Sequence, residues 1–144
     1  MQKILVGVDT STRAPLVLNY GVALAQRLGA RLTVIRAVPL PVEFPIEALS
    51  IAPDALPTKL LEVAEQALDQ LVANVPKEFL ERKEARLGTP WQVLCDAAKE
   101  YHVDLVLIGT HGYRVLDRII GTTAARVVNH APCSVLAARV FEPS

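Results

Sequence analysis

The sequence predicts an α/β protein in which a parallel β-sheet carries helices on both faces. Three observations lead to this class: short β-rich runs that are apolar on both sides, helical stripes between these runs, and turn residues at the junctions. Strands covered by helices on both faces have continuous apolar runs rather than alternating ones. The element order βαβαβαβαβ favours one parallel sheet with right-handed crossovers.

The first β-strand and helix are predicted near the start of the chain. Ile4 to Val8 is a short apolar run, and the polar stretch Asp9 to Thr12 ends it with residue types that cap helices. Pro15 suits a first helical turn, and Gly29 suits a helix end. The predicted inner face of the helix consists of Val17, Tyr20, Leu24 and Leu28.

A proline-rich segment follows the second strand, which is predicted at Leu32 to Val38. Pro39 to Pro57 contains five of the ten prolines, a density that excludes a regular helix or a central strand. We therefore expect a long loop there. Loops of this length either cover a functional site or form variable surface excursions, and the residues leave both alternatives open.

The second half of the chain repeats the alternation. A helix that Pro76 ends or kinks is predicted from the stripe Leu60, Ala64, Ala67, Leu68, Leu71 and Val75. A weaker strand follows near Lys83 to Leu87, and Thr89 and Pro90 then suit the start of another helix. The predicted inner face of that helix is Leu94, Ala97, Ala98 and Tyr101, with Trp91 packing at its start. The last three elements are expected at Asp104 to Ile108, Thr122 to Asn129 and Ser134 to Val140.

Composition excludes several classes of protein. Fifteen basic residues balance fifteen acidic ones, so no overall field attracts nucleic acid or an anionic membrane. Cys95 and Cys133 are too few for a disulfide framework, and neither lies in a metal-binding pattern. No apolar segment reaches the roughly 20 residues of a membrane helix, and the start of the chain lacks a signal peptide pattern. We expect one cytoplasmic domain over residues 1–144.

Three of the seven glycines lie close together at Gly109, Gly112 and Gly121, after the predicted fourth strand. Ligands of open α/β sheets bind beyond the carboxyl ends of the strands, where the strand order reverses. Glycine lets the backbone approach a ligand, and Gly121-Thr122 places free N–H groups at a helix start, which favours phosphate. An ordinary tight turn with a helix cap explains the same glycines. Neither a P-loop nor a dinucleotide-binding glycine pattern is present.

Four stretches carry a resemblance to a known family: KILVGVDTS, LGTPWQVLCDAAKE, VDLVLIGTHG and GTTAARVVNHAPCSVLAAR. Through them the chain resembles the universal stress protein family over essentially all 144 residues. The resemblance implies a five-stranded parallel sheet of order 3-2-1-4-5 with helices on both faces, a Rossmann-like fold. The ATP-binding branch of the family carries G-x2-G-x9-G-[ST]. Here the spacer Tyr113 to Ile120 has eight residues rather than nine. The loop either absorbs the difference or pulls the helix start away from the phosphates, and we expect the first because the anchors remain.

The resemblance implies a binding role for ten residues. The adenine pocket would be edged or lined by Gly7, Val8, Ala37, Ile108 and Gly109. The phosphates would be held by Gly112, Gly121, Thr122 and Thr123. Asp9 would lie near the ribose and phosphates and reach Mg²⁺ carried by the nucleotide. The alternative role for Asp9 is a cap on the first helix, and helix capping is also the alternative for the two threonines.

The function implied by the resemblance is that of an ATP-binding stress-response or regulatory protein. It would act as a homodimer through the edge strand Ser134 to Val140, because an unpaired apolar edge invites pairing with a second chain. Two alternatives stay open: a dimer that binds no nucleotide, and a slow ATP-hydrolysing enzyme. The sequence contains no recognisable combination of a nucleophile with a base, and no second carboxylate is expected near Asp9. We therefore expect no catalytic residues.

Overall fold

The computed structural model describes residues 2–40, 55–110 and 122–140. Its strands are β1 (Lys3–Val8), β2 (Arg31–Val38), β3 (Leu80–Leu87), β4 (Leu105–Gly109) and β5 (Ser134–Ala138). They form one sheet in the order β3-β2-β1-β4-β5, and every neighbouring pair is parallel. The predicted fold class and strand order are confirmed.

Four helices in the described ranges cover both faces of this sheet. They are α1 (Ala14–Leu28), α2 (Ala55–Val72), α3 (Pro90–Glu100) and α4 (Thr122–His130), and a 3₁₀ turn at Lys77–Phe79 precedes β3. Side chains of α1 and α2 pack with one face of the sheet, and those of α3 and α4 pack with the other. None of these helices is both long and apolar enough to cross a bilayer.

The central strand β1 is buried on both faces. Ile4 and Val6 pack into the layer of α1, Leu5 packs into the layer of α3, and all three side chains are 0% exposed. Removing an aliphatic side chain of this size from water contributes about 1.5–3 kcal/mol. This burial explains why the strand has a continuous apolar run rather than an alternating one.

The predicted inner face of α1 is partly wrong. Tyr20 and Leu28 are 43% and 44% exposed. The helix turns its small residues inward instead, because Gly21 meets the sheet so closely that an added Cβ would lie 2.9 Å from Val6 Cγ2. The buried positions of α1 are Ala14, Val17, Leu18, Gly21 and Ala25.

The predicted loop at Pro39 to Pro57 ends too late. Residues 41–54 lie outside the described part of the chain, but α2 already begins at Ala55, so Pro57 belongs to its first turn. A proline is tolerated there because the first helical N–H groups have no partner within the helix. In the predicted stripe, Ala64 and Leu68 are buried, whereas Ala67 is exposed.

Candidate functional site

The carboxyl ends of β1, β2 and β4 lie side by side at one edge of the sheet. Val6 is paired with Leu107, so β1 and β4 end at the same level, and Val8 is paired with Arg36, so β2 continues two residues further. Neighbouring strands are about 4.8 Å apart. Asp9 and Ala37 therefore follow adjacent paired residues, and the strand order reverses beside them, between β1 and β4.

Asp9 shapes the turn between β1 and α1. Its Oδ1 accepts a hydrogen bond from the Ser11 N–H (2.9 Å), and the Ser11 Oγ accepts one from the Arg13 N–H (3.2 Å). The residue in the N-cap position of α1 is Arg13. The alternative in which Asp9 caps the first helix is therefore wrong, because a turn at residues 11–13 separates Asp9 from the helix. Its carboxylate is exposed at the edge of the sheet.

Gly7 provides room for the packing of α3 on β1. A Cβ built on Gly7 would lie 2.9 Å from both Cδ atoms of Leu94 and 3.3 Å from Ile108 Cγ2. The space beside Gly7 is thus filled by core side chains. Ala37 is partly buried in the same cluster, and Ile108 is 4% exposed. These predicted pocket residues each lie one residue before the end of their strand, on the side of the sheet that α3 covers.

Strand β4 ends at Gly109. The Thr110 N–H donates to the Ala138 carbonyl oxygen (3.0 Å), which extends the pairing of β4 with β5 by one residue. Gly112, Gly121 and the spacer between them lie outside the described residues. Thr122 and Thr123 open α4, and both are exposed. Of the predicted phosphate-binding segment, the structure therefore describes the exposed first turn of α4.

A contact between α3 and α4 was not predicted from the sequence. Trp91 packs at the start of α3 as expected, but its indole also meets the His130 ring at a centroid distance of 4.6 Å. The Arg126 Cζ lies 5.7 Å from the centre of the Trp91 ring. No local pattern reveals this contact, because His130 lies 39 positions after Trp91.

A polar cluster on β3 and the end of α3 was also missed. Tyr101 donates its hydroxyl hydrogen to Glu84 and accepts a hydrogen bond from Arg86 Nη2 (2.9 Å), and Arg86 also pairs with Glu100 (2.5 Å). The Arg82 Cζ lies 3.8 Å from the centre of the Tyr101 ring. Burial by itself would raise the pKa of Glu84, but the hydrogen bonds from Arg86 and Tyr101 lower it below its usual value. The cluster is internally paired, which is typical of a structural network.

The described residues offer no preformed metal centre. Within residues 2–40, 55–110 and 122–140, no group of three or more His, Cys, Asp or Glu side chains could hold an ion. Burial raises the pKa of the thiols of Cys95 and Cys133, and nearby acidic groups raise it further. Both thiols therefore stay protonated and unreactive at neutral pH.

A parallel sheet with helices on both faces and polar turns at its reversal point defines a doubly wound α/β protein. A model of the universal stress protein family matches residues 1–139, and the chain belongs to this family. A putative universal stress protein of Staphylococcus aureus (strain USA300) is 31% identical over 145 residues, which cover 98% of this chain and 86% of that relative.

Solved structures of universal stress proteins share the fold. UspA from Lactobacillus plantarum has a TM-score of 0.70 and 31% identity, with 96% of this chain and 97% of that chain covered. The universal stress protein from Archaeoglobus fulgidus, in complex with dAMP, has a TM-score of 0.62 and 22% identity, with 95% and 97% covered. The second likeness is one of fold alone.

Proposed function

We propose that this chain binds ATP together with Mg²⁺ at the carboxyl ends of β1 and β4 and acts as a cytoplasmic homodimer in the stress response. The observation that carries the proposal is the convergence of Asp9 and Ala37 beside the reversal of strand order. Ligands of this fold class bind at that position. The dAMP in the related Archaeoglobus fulgidus protein supports an adenine nucleotide as the ligand class.

The described residues suit an adenine nucleotide. Ala37 and Gly109 are small, so the edge of the sheet stays open to a flat base. The start of α4 presents N–H groups that lack partners within the helix, together with the exposed hydroxyls of Thr122 and Thr123. A helix start attracts phosphate through its partial positive charge.

Magnesium would arrive with the nucleotide. Mg²⁺ usually keeps several waters and takes one or two carboxylates plus phosphate oxygens, so a dedicated cage of protein ligands is not required. Asp9 is the carboxylate that follows β1 at the proposed site. Bound there, Mg²⁺ would neutralise phosphate charge. The side chain of Asp9 would hold the ion near the turn that Ser11 and Arg13 stabilise.

Calorimetric titration with ATP and Mg²⁺ tests the binding site through a ranking of variants. Gly112→Val and Gly121→Val each place a β-branched side chain where the backbone must approach phosphate, so both should abolish binding. Thr122→Ala should weaken binding by about 0.5–1.5 kcal/mol, because it removes one neutral hydrogen bond. Thr122→Ser, the matched control, keeps the hydroxyl and should bind like wild type.

Two results would contradict the proposed ligand. The first is a wild-type protein that shows neither binding heat nor a thermal shift at millimolar ATP and Mg²⁺. The second is a Gly112→Val variant that binds as wild type does. Asp9→Ala should reduce the dependence of binding on Mg²⁺. Mass spectrometry of the small molecule released from the native protein would separate ATP from other adenine nucleotides.

The two edges of the sheet support a dimer through β5. The edge strand β3 carries five charged residues, Glu81, Arg82, Lys83, Glu84 and Arg86. The opposite edge, β5, has the sequence SVLAA and carries no charged residue. Charged side chains protect an edge from pairing with another chain, whereas an apolar edge invites it. We therefore assign β5 as the strand that pairs with a second copy.

A further inference from the structure

We infer that Trp91 is a positioning residue of the nucleotide site. It acts by fixing the orientation of α4, whose first turn presents Thr122 and Thr123. This inference rests on the proposed function, because it concerns the phosphate end of the same site. Trp91 is the only tryptophan of the chain, so changes in its environment are also visible in fluorescence.

The helix α4 depends on neighbouring elements for its orientation. It has nine residues, whereas isolated helices shorter than about 12–15 residues are marginal in water. Its buried side chains are Ala124 and Val127, which are small. Small side chains on one stripe leave rotation of the helix about its axis weakly restrained. A further contact on another side of α4 therefore decides where its first turn points.

Trp91 provides that contact through two residues one helical turn apart. The His130 ring packs on the indole at 4.6 Å with an interplanar angle of 40°, and the Arg126 guanidinium lies 5.7 Å from the ring centre. The His130 Nδ1–H donates to the Arg126 carbonyl oxygen (2.8 Å), which ties the imidazole to the backbone of the helix. The indole face attracts the guanidinium electrostatically, which adds to the ring contact with His130.

The contact with Trp91 also restrains the first turn of α4, where phosphate is proposed to bind, because the helix is rigid. Arg126 lies four residues after Thr122, a rise of about 6 Å along the axis. A helix held at Arg126 and His130 is thus held within about one turn of its start. The proposed adenine edge, at Ala37, belongs to β2, a different element from α4. Loss of the Trp91 contact should therefore affect phosphate binding and spare adenosine binding.

The experiment compares ATP with adenosine, which carries the base and ribose but no phosphate. Trp91→Ala should raise the Kd for ATP about fivefold and leave the Kd for adenosine within about twofold, as the loss of a ring-cation contact predicts. Trp91→Phe keeps an aromatic face and should recover most of the ATP affinity. A general loss of folding would weaken both ligands equally, so the ratio of the two constants isolates positioning.

Tyr101→Ala is the matched control. Tyr101 is the other partly buried aromatic residue of the α3 region, but its ring packs on Arg82 and Arg86 of β3. This variant should leave the ratio of ATP to adenosine affinity unchanged. Hydrogen exchange without ligand adds a second readout: Trp91→Ala should accelerate exchange of the amides at residues 122–130, and Tyr101→Ala should not.

The outcomes separate the two proposals. If wild-type protein binds ATP but Trp91→Ala leaves the ratio and the exchange unchanged, the positioning role is wrong and the proposed ligand stands. If Tyr101→Ala shifts the ratio as strongly as Trp91→Ala does, the effect is general loss of packing and the inference is overturned. If wild-type protein binds no ATP at all, the proposed function fails, and the inference fails with it.

Discussion

Gly29 and His102 place the ends of two helices in the left-handed region of backbone space. Gly29 closes α1 with φ of 65°, and His102 follows α3 with φ of 51°. A side chain in this region costs about 1–2 kcal/mol, and glycine avoids most of that cost. Nothing lies within 4 Å of a Cβ added at Gly29, so the effect of a substitution there is one of backbone alone.

We expect opposite effects from substitutions at these two positions. Gly29→Ala should lower the free energy of unfolding by about 1 kcal/mol, and His102→Gly should raise it by about 0.5–1 kcal/mol. Urea unfolding of both variants checks the pair. His102→Ala is the control, since it removes the imidazole but keeps the strained backbone. Equal stability of His102→Gly and His102→Ala would show that the imidazole, not the backbone, decides the outcome.

Asp104 ties the start of β1 to the start of β4. Its Oδ2 accepts hydrogen bonds from the Gln2 N–H (2.8 Å) and the Lys3 N–H (2.9 Å). These two bonds lower the pKa of the carboxyl group below its usual value. The stabilisation they provide is therefore complete above the unfolded pKa of about 3.9, and it is lost as the pH falls through the lower folded pKa.

The corresponding variant is Asp104→Asn. It should be less stable than wild type at pH 7, and the difference should shrink as the pH falls below about 4, because the carboxylate of the unfolded wild type then takes up a proton before that of the folded protein does. Urea midpoints measured from pH 7 to pH 2.5 give the comparison. A difference that stays constant over this range would show that ionisation of Asp104 does not contribute.

At the scale of the element, the packing of α3 on β1 depends on the absence of a side chain at Gly7. Gly7→Ala would bring a Cβ to 2.9 Å from both Cδ atoms of Leu94, so either the leucine or the helix must shift. Overpacking of this kind costs about 1–3 kcal/mol. Leu94 is 5% exposed, and Leu94→Ala should cost about 2–5 kcal/mol by leaving a cavity.

The double variant tests whether these two positions share one space. Gly7→Ala with Leu94→Ala should be more stable than the sum of the single effects predicts, by at least about 0.5 kcal/mol, because the new methyl group occupies part of the cavity. Denaturant unfolding of the four proteins gives the coupling energy. Strict additivity would mean that the clash at Gly7 is relieved elsewhere.

The elements differ in how far the sequence predicts them. The short strands β1 and β4 are evident from their apolar runs, since burial on both faces leaves little freedom of residue type. The inner face of α1 is not evident from the sequence. Apolar residues occupy more than half of the circumference of this helix, so several stripes could equally well face the core. The strand β3 is harder to recognise in the sequence, because five of its residues are charged. Tyr101, which donates a hydrogen bond to Glu84 of this strand, lies in another part of the sequence.

At the scale of the whole molecule, the orientation of β5 gives a direct test of the dimer. The Ala138 carbonyl accepts a hydrogen bond from Thr110, so Ala138 faces β4. N–H groups alternate in direction along a strand, and Ala137 therefore points its N–H away from β4, toward the open side of β5 where a second chain is proposed to pair. Ala137→Pro removes that donor without breaking the pairing with β4.

Light scattering at micromolar concentration should report twice the chain mass for wild type and one chain mass for Ala137→Pro. Ala137→Ser, which keeps the N–H, should remain dimeric. A monomeric wild type would contradict pairing through β5, and so would a proline variant that stays dimeric. Unchanged circular dichroism would show that the proline variant keeps its fold.

The strand order could be predicted from the resemblance to a family, whereas the contacts at the candidate site could be predicted only in part. Asp9 was predicted as a candidate because it follows the first strand, where ligands of such sheets bind, and Ala37 because the resemblance to the family implies it. The contacts of Trp91 with Arg126 and His130 join segments far apart in the sequence, and no periodicity encodes them. The turn role of Asp9 also escaped prediction, because several polar residues before α1 suit a cap equally well.

The central position of β1 determines how the chain must assemble during its synthesis. One edge of β1 pairs with β2 soon after it, but the other edge waits for β4, and Gln2 and Asp104 are 102 positions apart. Ribosomes add about 5–20 residues per second, so the second edge of β1 stays unpaired for roughly 5–20 s. During that interval an apolar edge of the nascent chain is open to chaperones and to other nascent chains.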